Sequence, residues 1–524
     1  MIGFYESWES KLYNSSMYVT LGGGQPAIRH VHRKLFLPTY GLFDEERFVE
    51  RGRELRAFDA PWGRAAMLVC EDAWHSITST IAALDGAQVI FVPTAPPARG
   101  AWPREDGTPG PASVNRWERL ARDIAEEHGV FVVLANLVGS EGGKFLPGAS
   151  MVAGPRGEVR GRGPLWEEGL LVASLDLGDV ARARADMPLV ADLEVMMPHL
   201  RQSLERLERL GERRDDVPAR YDAAVEVATT SGSKPRRDDP MSPFAVTRSE
   251  SGAKPPSLEI DGALVERWLV EFIRDEMQRR KFTKAIVGVS GGVDSAVTAF
   301  LAARAMGPEN VIGVRMPYRT SSVESLEHGQ QVIDALGIEG RTFDISGAVD
   351  GYLSLEPDAD ATRRGNVMAR MRMITLFDLS SKHRAIPLGT GNKTERLFGY
   401  FTWHADDSPP INPLGDLFKS QVWALARHLG VPEVIVSKPP TADLVVGQTD
   451  EGDFGIAYAR ADEILNWMLN GYTAAELASR GFGAEEVALV KKRLESTHWK
   501  RRLPTVAMVS ASAIGESYLR PVDY

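Results

Sequence analysis

The sequence predicts a two-part α/β protein whose C-terminal part carries a parallel, doubly wound sheet. Three observations predict it. Residues 285–305 read as an apolar strand, a glycine turn (Ser290-Gly-Gly-Val-Asp-Ser295) and a helix of small apolar residues. Residues 311–322 repeat the strand–helix unit expected of a parallel sheet, with the strand Val-Ile-Gly-Val-Arg-Met running into Pro-Tyr-Arg-Thr-Ser-Ser. Residues 1–180 alternate short strands and helices, as a layered α/β domain does.

A chain of 524 residues has the length for at least two domains with sizeable cores. The composition is globular, 43% hydrophobic and 25% charged, with a formal net charge of −10. That acidity argues against a nucleic-acid partner, which would call for a basic face. A phosphate-bearing substrate would then need local Arg/Lys clusters and a metal. No run of about 18 apolar residues marks a membrane span, and the opening MIGFYESWESKLYNSS lacks a secretory pattern. The single cysteine, Cys70, excludes an intrachain disulfide and a thiolate zinc cluster. A cytoplasmic enzyme is the expectation.

Taken in order, residues 65–69, 87–92 and 129–135 are expected strands, with a helix over 113–127. Residues 181–215 turn helical and charge-rich. From about 211 to 259 large apolar residues become rare among Pro, Gly, Ser and charges, which predicts a flexible linker between an N-terminal domain (1–210) and a C-terminal one (260–524). Periodic structure resumes at 261–280, where Leu264, Trp268, Phe272 and Met277 share one helix face.

The turn at 290–295 carries the chemistry of the C-terminal part. A strand entering a helix through glycines leaves unpaired backbone N–H groups aimed at one spot. Gly291 and Gly292 permit close approach of a phosphate, and Ser290 and Ser295 add hydroxyl donors. Asp294 would repel phosphate alone but suits a divalent cation lying between the two. No Gly-Lys-Ser/Thr follows, so the loop is not a Walker A motif. It resembles the pyrophosphate loop of the ATP pyrophosphatases, which cleave ATP between the α- and β-phosphates. A second glycine-bearing strand end, Pro387-Leu-Gly-Thr-Gly-Asn-Lys-Thr-Glu395, brings Thr390, Lys393 and Glu395 together. Asp294 and Glu395 suit Mg²⁺, which takes few carboxylates and completes its shell with phosphate and water. Lys419, near the start of an amphipathic helix, is placed to neutralise charge in a phosphate site.

In the N-terminal part, Cys70 ends an apolar strand and precedes Glu71-Asp72-Ala73-Trp74, as a nucleophile at the top of a sheet would. By residue type alone a buried structural cysteine is the commoner case, and Lys34 alone would be a solvated surface lysine. Their surroundings decide otherwise. The segment His32-Arg-Lys-Leu-Phe-Leu-Pro-Thr-Tyr-Gly-Leu-Phe-Asp-Glu-Glu-Arg47, with Val92-Pro-Thr-Ala95, Asn136-Leu-Val-Gly139 and Gly148-Ala-Ser150, resembles the carbon–nitrogen hydrolase (nitrilase-type) glutaminase domain of glutamine-dependent NAD⁺ synthetases. Downstream, SGGVDS, Asn366-x₃-Arg370-x-Arg372, TGNKTE, Ile411–Lys419, Pro440-Thr-Ala-Asp-Leu444, Gly447-Gln-Thr-Asp-Glu451 and Trp499-Lys-Arg-Arg-Leu-Pro504 follow in the order of the synthetase domain of that family.

The resemblance implies a nitrilase-like α/β sandwich followed by an adenine nucleotide α-hydrolase-like domain. The family reaction amidates deamido-NAD⁺ through an adenylate, with ATP and glutamine as co-substrates, Mg²⁺ as cofactor and AMP, pyrophosphate and glutamate released. Lys34 and Cys70 then belong to a Glu-Lys-Cys triad. Ser290, Gly291, Gly292, Asp294, Ser295, Arg315, Thr390 and Thr441 hold ATP or pyrophosphate, Lys419 acts in catalysis, and Asn366, Arg372 and Asp406 contact the dinucleotide. Where many relatives show Thr-Lys-x-Gly-Asp, this chain has Thr402-Trp-His-Ala-Asp406, so Trp403 replaces a substrate-side lysine and offers a ring to stack on the pyridine. The family also implies a homo-oligomer, at least a dimer.

The resemblance lacks its first strand–helix–strand portion, which bears the triad Glu, because Met1–Glu6 aligns with a later strand. Glu6 and Glu9 are poor substitutes, and a start upstream of Met1 is the expectation. The alternatives are an ammonia-dependent synthetase with a decayed amidase domain, a different ATP pyrophosphatase, and a non-catalytic scaffold. Retention of Asp294, Glu395 and Lys419 together speaks against the last.

Overall fold

A computed structural model describes residues 1–21, 26–39, 43–101, 110–141, 143–211, 255–441 and 449–501. The chain divides into two compact units, one comprising Met1–Pro96, Val114–Val138 and Pro147–Ala253, the other Pro97–Ser113, Gly139–Leu146 and Lys254–Tyr524. Most of the expected linker, residues 212–254, lies outside the described residues.

The first unit opens with an antiparallel three-stranded sheet of β1 (Ile2–Trp8), β2 (Lys11–Thr20) and β3 (Ala27–Arg33). Glu9 and Ser10 close its first hairpin with positive φ, 50° and 62°, the backbone of a tight hairpin turn. The larger sheet uses β4 (Phe58–Ala60), β5 (Gly63–Met67), β6 (Val89–Thr94) and β7 (Phe131–Asn136). Its last strands are β10 (Met151–Ala153) and β11 (Val159–Arg162); between β7 and β10 the chain forms a two-stranded ribbon, β8 (Val138–Glu141) with β9 (Lys144–Pro147), of which Gly139–Leu146 belongs to the second unit. Its order is β11-β10-β7-β6-β5-β4, with β5, β6 and β7 parallel. Period-two alternation gives the sheet two buried faces. Ala66, Leu68, Ile90, Val92, Val132 and Leu134 pack on α1 (Ser76–Leu84) and α2 (Ala112–His128). Ala65, Met67, Val89 and Phe131 face the opposite way, against Tyr18 of the small sheet and Val180 of α3 (Gly178–Asp186). A long helix, α4 (Leu189–Gly211), closes the charge-rich segment.

The second unit is built on a four-stranded, wholly parallel sheet. After α5 (Gly262–Arg279) come β12 (Lys284–Gly288), α6 (Val293–Met306), β13 (Val311–Arg315), α7 (Val323–Leu336), β14 (Glu339–Thr342), α8 (Ser346–Leu353), α9 (Ala361–His383) and β15 (Ala385–Leu388). Strand order is β14-β13-β12-β15. The order reverses between β12 and β15, and the turns after these two strands are the two glycine motifs. A crevice at such a reversal is where parallel sheets bind nucleotides. Helices α10 (Lys393–Phe398), α11 (Lys419–Leu429), α12 (Glu433–Val436), α13 (Asp450–Phe454), α14 (Tyr458–Leu469), α15 (Ala474–Ser479) and α16 (Ala484–Ser496) complete the unit. The amphipathic helix expected near Lys419 begins at that residue, with Phe418 holding the extended backbone of an N-cap (ψ 156°). Among the described residues no helix is long and apolar enough to cross a membrane.

Candidate functional site

In the second unit the loop after β12 closes on itself before it meets any ligand. Ser290 and Ser295 hydroxyls lie 3.0 Å apart, the Ser290 N–H donates to Ser295 Oγ, and Ser295 Oγ donates to the Gly292 carbonyl. Gly291 has φ of +80°, and a Cβ there would stand 2.2 Å from the Ser325 carbonyl oxygen, so the turn admits only glycine. Gly292 is the N-cap of α6, which leaves the first N–H groups of that helix open.

This loop walls a cavity of about 300 Å³, lined also by Arg315, Arg372, Thr390, Glu395, Asp406, Lys419 and Thr441. Lys419 is only 2% exposed. Its ammonium pairs with Asp294 Oδ2 and lies 3.6 Å from Glu395 Oε1. Burial opposes that charge, yet the Asp294 and Glu395 carboxylates raise the ammonium pKa above its ordinary value. Glu395 is pushed up to about 8, first by burial and then by the Asp294 charge.

Sequence reasoning did not single out the groups that brace this pair. Asn392 caps α10, accepting the Glu395 N–H at 3.0 Å, while its amide donates to Asp294 Oδ1 at 3.0 Å. Tyr458 OH donates to Asp450 Oδ2 at 3.0 Å, and Tyr400 OH lies 2.7 Å from Asp453 Oδ2. Burial raises the Asp450 pKa, and Lys419 opposes the shift. Lys438, also on the cavity wall, donates to Ser325 Oγ at 2.9 Å. Asn392 and Asp450 lay inside quoted motifs and were legible there. Tyr458 sits in an amphipathic helix and gave no signal.

Among the described residues no three His, Cys, Asp or Glu side chains are grouped to hold a metal by themselves. The donor chemistry still fits a hard cation that shares its shell with phosphate, since two carboxylates meet at one buried cation, here the Lys419 ammonium.

The residues expected to contact the dinucleotide divide. Arg372 and Asp406 line the cavity. Arg372 Nε donates to the Met316 carbonyl, and Asp406 Oδ1 accepts the Thr402 N–H. Burial pushes Asp406 up to about 6. Asn366 accepts the Thr402 hydroxyl and Trp403 packs edge-on against Trp499 at 5.3 Å; neither is on the cavity wall. Arg315 anchors on Thr342 Oγ1 at 2.7 Å. Residues 442–448 and 502–504 of the quoted motifs lie outside the described residues.

In the first unit Cys70 begins a tight turn, Cys70–Trp74, with φ of +51°, a strained backbone for a side-chain-bearing residue. Burial pushes its thiol pKa up, and the Lys34 charge pulls it down. Lys34 is 1% exposed, and its ammonium donates to both Glu45 oxygens, at 2.6 and 2.8 Å. Glu45 stood in the quoted segment, but only the fold brings it to Lys34. Glu6 is held by Arg33 and Ser15, and Glu9 is an exposed turn residue, so neither carboxylate is engaged with Lys34.

A family model described as NAD synthase matches residues 265–504, and one described as carbon-nitrogen hydrolase matches residues 1–185. The NH(3)-dependent NAD(+) synthetase of Chlorobaculum parvum is 43% identical over 272 residues, covering 52% of this chain and 98% of that relative. Its counterpart in Trichlorobacter lovleyi is 45% identical over 268 residues, covering 51% and 98%. The glutamine-dependent NAD+ synthetase from Acinetobacter baumannii, solved with adenosine diphosphate, shares the fold across 99% of this chain and 82% of that one (TM-score 0.63, 24% identity). That from Cytophaga hutchinsonii shares it across 96% and 80% (TM-score 0.62, 14% identity). The chain belongs to the NAD synthase family, with a carbon–nitrogen hydrolase domain preceding its synthase domain.

Proposed function

We propose that this chain is a ligase that converts deamido-NAD⁺ to NAD⁺, using ATP for activation and glutamine as the nitrogen source. One observation carries the reading: the buried Lys419 ammonium shared by Asp294 and Glu395 on the wall of the cavity formed by the Ser290–Ser295 loop. A carboxylate is a poor acyl donor, so its oxygen attacks the α-phosphorus of ATP, pyrophosphate leaves, and the acyl adenylate then loses AMP to ammonia. The open N–H groups at the start of α6 and the Ser290 and Ser295 hydroxyls receive the departing phosphates. Lys419 neutralises charge developing on them, and Thr390 and Thr441 orient the nucleotide. Arg372 and Asp406 orient the dinucleotide, with Arg315 on the adenine side. Asp294 and Glu395 would hold Mg²⁺, which supplies charge neutralisation of phosphate oxygens when bound.

In the hydrolase domain the Cys70 sulfur attacks the glutamine side-chain amide, ammonia leaves, and water releases glutamate from the thioester. Lys34, fixed by Glu45, stabilises the thiolate and the oxyanion. Cytoplasmic location and assembly into at least a dimer complete the reading.

The ammonia-dependent alternative has its own support. The curated relatives match about half of the chain, and Glu6, the carboxylate of β1, is bound to Arg33. Purified chain assayed with glutamine and with ammonium decides between the two. Cys70→Ala is expected to abolish NAD⁺ formation from glutamine and retain that from ammonium. Wild-type protein that turns over with ammonium alone would establish the alternative.

A further inference from the structure

Lys34 and Cys70 arrive from different elements, and one buried carboxylate ties both down. Asp72 is 0% exposed. Its Oδ1 accepts the N–H groups of Leu35 and Phe36, each at 2.9 Å, so it grips the backbone that directly follows Lys34. Its Oδ2 accepts His32 Nε2–H at 2.9 Å, two residues before Lys34, and the N–H of Val69 at 3.0 Å, directly before Cys70. The Asp72 carbonyl in turn accepts the Thr78 hydroxyl, which pins the Cys70 turn to α1. His32 is 1% exposed and its Nδ1 has no hydrogen-bond partner among the described residues, so the ring's polar anchor is Asp72. Four donors on one buried carboxylate fill its acceptor sites and offset the cost of burying it.

We infer that Asp72 is a positioning residue of the glutaminase, holding the Lys34 ammonium at a fixed distance from the Cys70 sulfur through the backbone on either side of each. It touches no substrate; its effect on the sulfur runs through Lys34. The inference rests on the reading of Cys70 as the nucleophile. An amide cannot replace this carboxylate. Asn offers one acceptor oxygen and one donor nitrogen, so its NH₂ must face either the Leu35 and Phe36 donors or the Val69 donor. One side of the tie breaks, and the Lys34 segment loosens from the Cys70 turn.

The chain has one cysteine, so alkylation of the intact protein by iodoacetamide reports Cys70 alone. The thiolate is the reacting form; Lys34 and Glu45 are the two charges that act on it. Four proteins are compared at pH 8: wild type, Lys34→Met, Asp72→Asn and the double variant, with circular dichroism reporting the fold. Lys34→Met is expected to slow alkylation about tenfold, the effect of roughly one pKa unit on a thiol. Asp72→Asn is expected to slow it about fivefold, and the double variant is expected to react no more slowly than Lys34→Met, the non-additivity of two residues in one pathway.

Wild-type reactivity in Asp72→Asn, or an equal fivefold loss in the Lys34→Met background, overturns the inference while leaving Cys70 as nucleophile. Wild-type reactivity in Lys34→Met overturns the nucleophile reading itself. Should Asp72→Asn fail to fold, His32→Ala removes one donor. It is expected to slow alkylation about twofold when Lys34 is present and not when it is Met; equal slowing in both backgrounds overturns the inference.

Discussion

Lys419 shows how a side chain of weak sequence signal becomes buried and paired once the chain folds. A lysine at a helix start is ordinarily solvated, and the surrounding Ile411–Lys419 motif was what singled it out. Its burial follows from three-dimensional neighbours. Asp294 comes from the start of α6 and Glu395 from α10, with Tyr458 of α14 stacked 5.1 Å below the ammonium. None of those proximities has a sequence spacing that announces it. The same holds in the first unit, where Lys34 gains Glu45, and the residues on either side of Lys34 gain Asp72, only once the chain has folded. Replacing Lys419 with Met keeps the stem and removes the charge. Turnover is expected to fall about 10²–10³-fold with glutamine and with ammonium alike, the range for deleting one transition-state donor. Steady-state kinetics with both nitrogen sources measures it, and a loss confined to glutamine would contradict the role.

At the scale of elements, what the sequence shows well is what has a period or a punctuation mark. The strand expected over 285–289 is β12, displaced by one residue, and the helix expected over 296–305 is α6, which begins three residues earlier inside the glycine turn; apolar runs and glycines mark both. The three strands expected in the first part are β5, β6 and β7. Pairing order is a different matter. Nothing in the residues at 385–388 states that β15 lies beside β12 rather than β14, yet this order creates the crevice.

Side-chain ties between elements were equally invisible. Asp462 on α14 accepts the Thr394 hydroxyl of α10 at 2.5 Å and the Ser420 N–H of α11 at 2.8 Å, joining the helices that carry Glu395 and Lys419. Burial pushes Asp462 up to about 6 from 3.8, against the Thr394 hydrogen bond that favours its charged form. The native carboxyl therefore holds its proton more tightly than the unfolded one. Its stabilising contribution is full below the unfolded value and is lost as pH rises through the native value. Asp462→Asn keeps the shape and removes that titration. Between pH 4 and 6 the wild type is expected to lose about 2–3 kcal/mol relative to the variant, with little further divergence above. Denaturant melts of both proteins across that range test it, and parallel stability curves would contradict it.

At the scale of the whole molecule, two units with separate cores are each assigned one chemistry by the proposed function. Each candidate site was marked in the sequence because its residues follow a strand: Cys70 after β5, and the Ser290–Ser295 loop after β12. In the proposed reaction the second unit activates a carboxylate as an adenylate. Deamido-NAD⁺ labelled with ¹⁸O in both carboxylate oxygens, incubated with ATP, Mg²⁺ and ammonium, tests this most directly by mass spectrometry of the nucleotide products. Attack on the α-phosphorus must leave one labelled oxygen on AMP and one on the NAD⁺ amide. AMP carrying one ¹⁸O is the expected result; unlabelled AMP, or label in inorganic phosphate with ADP as co-product, would contradict it.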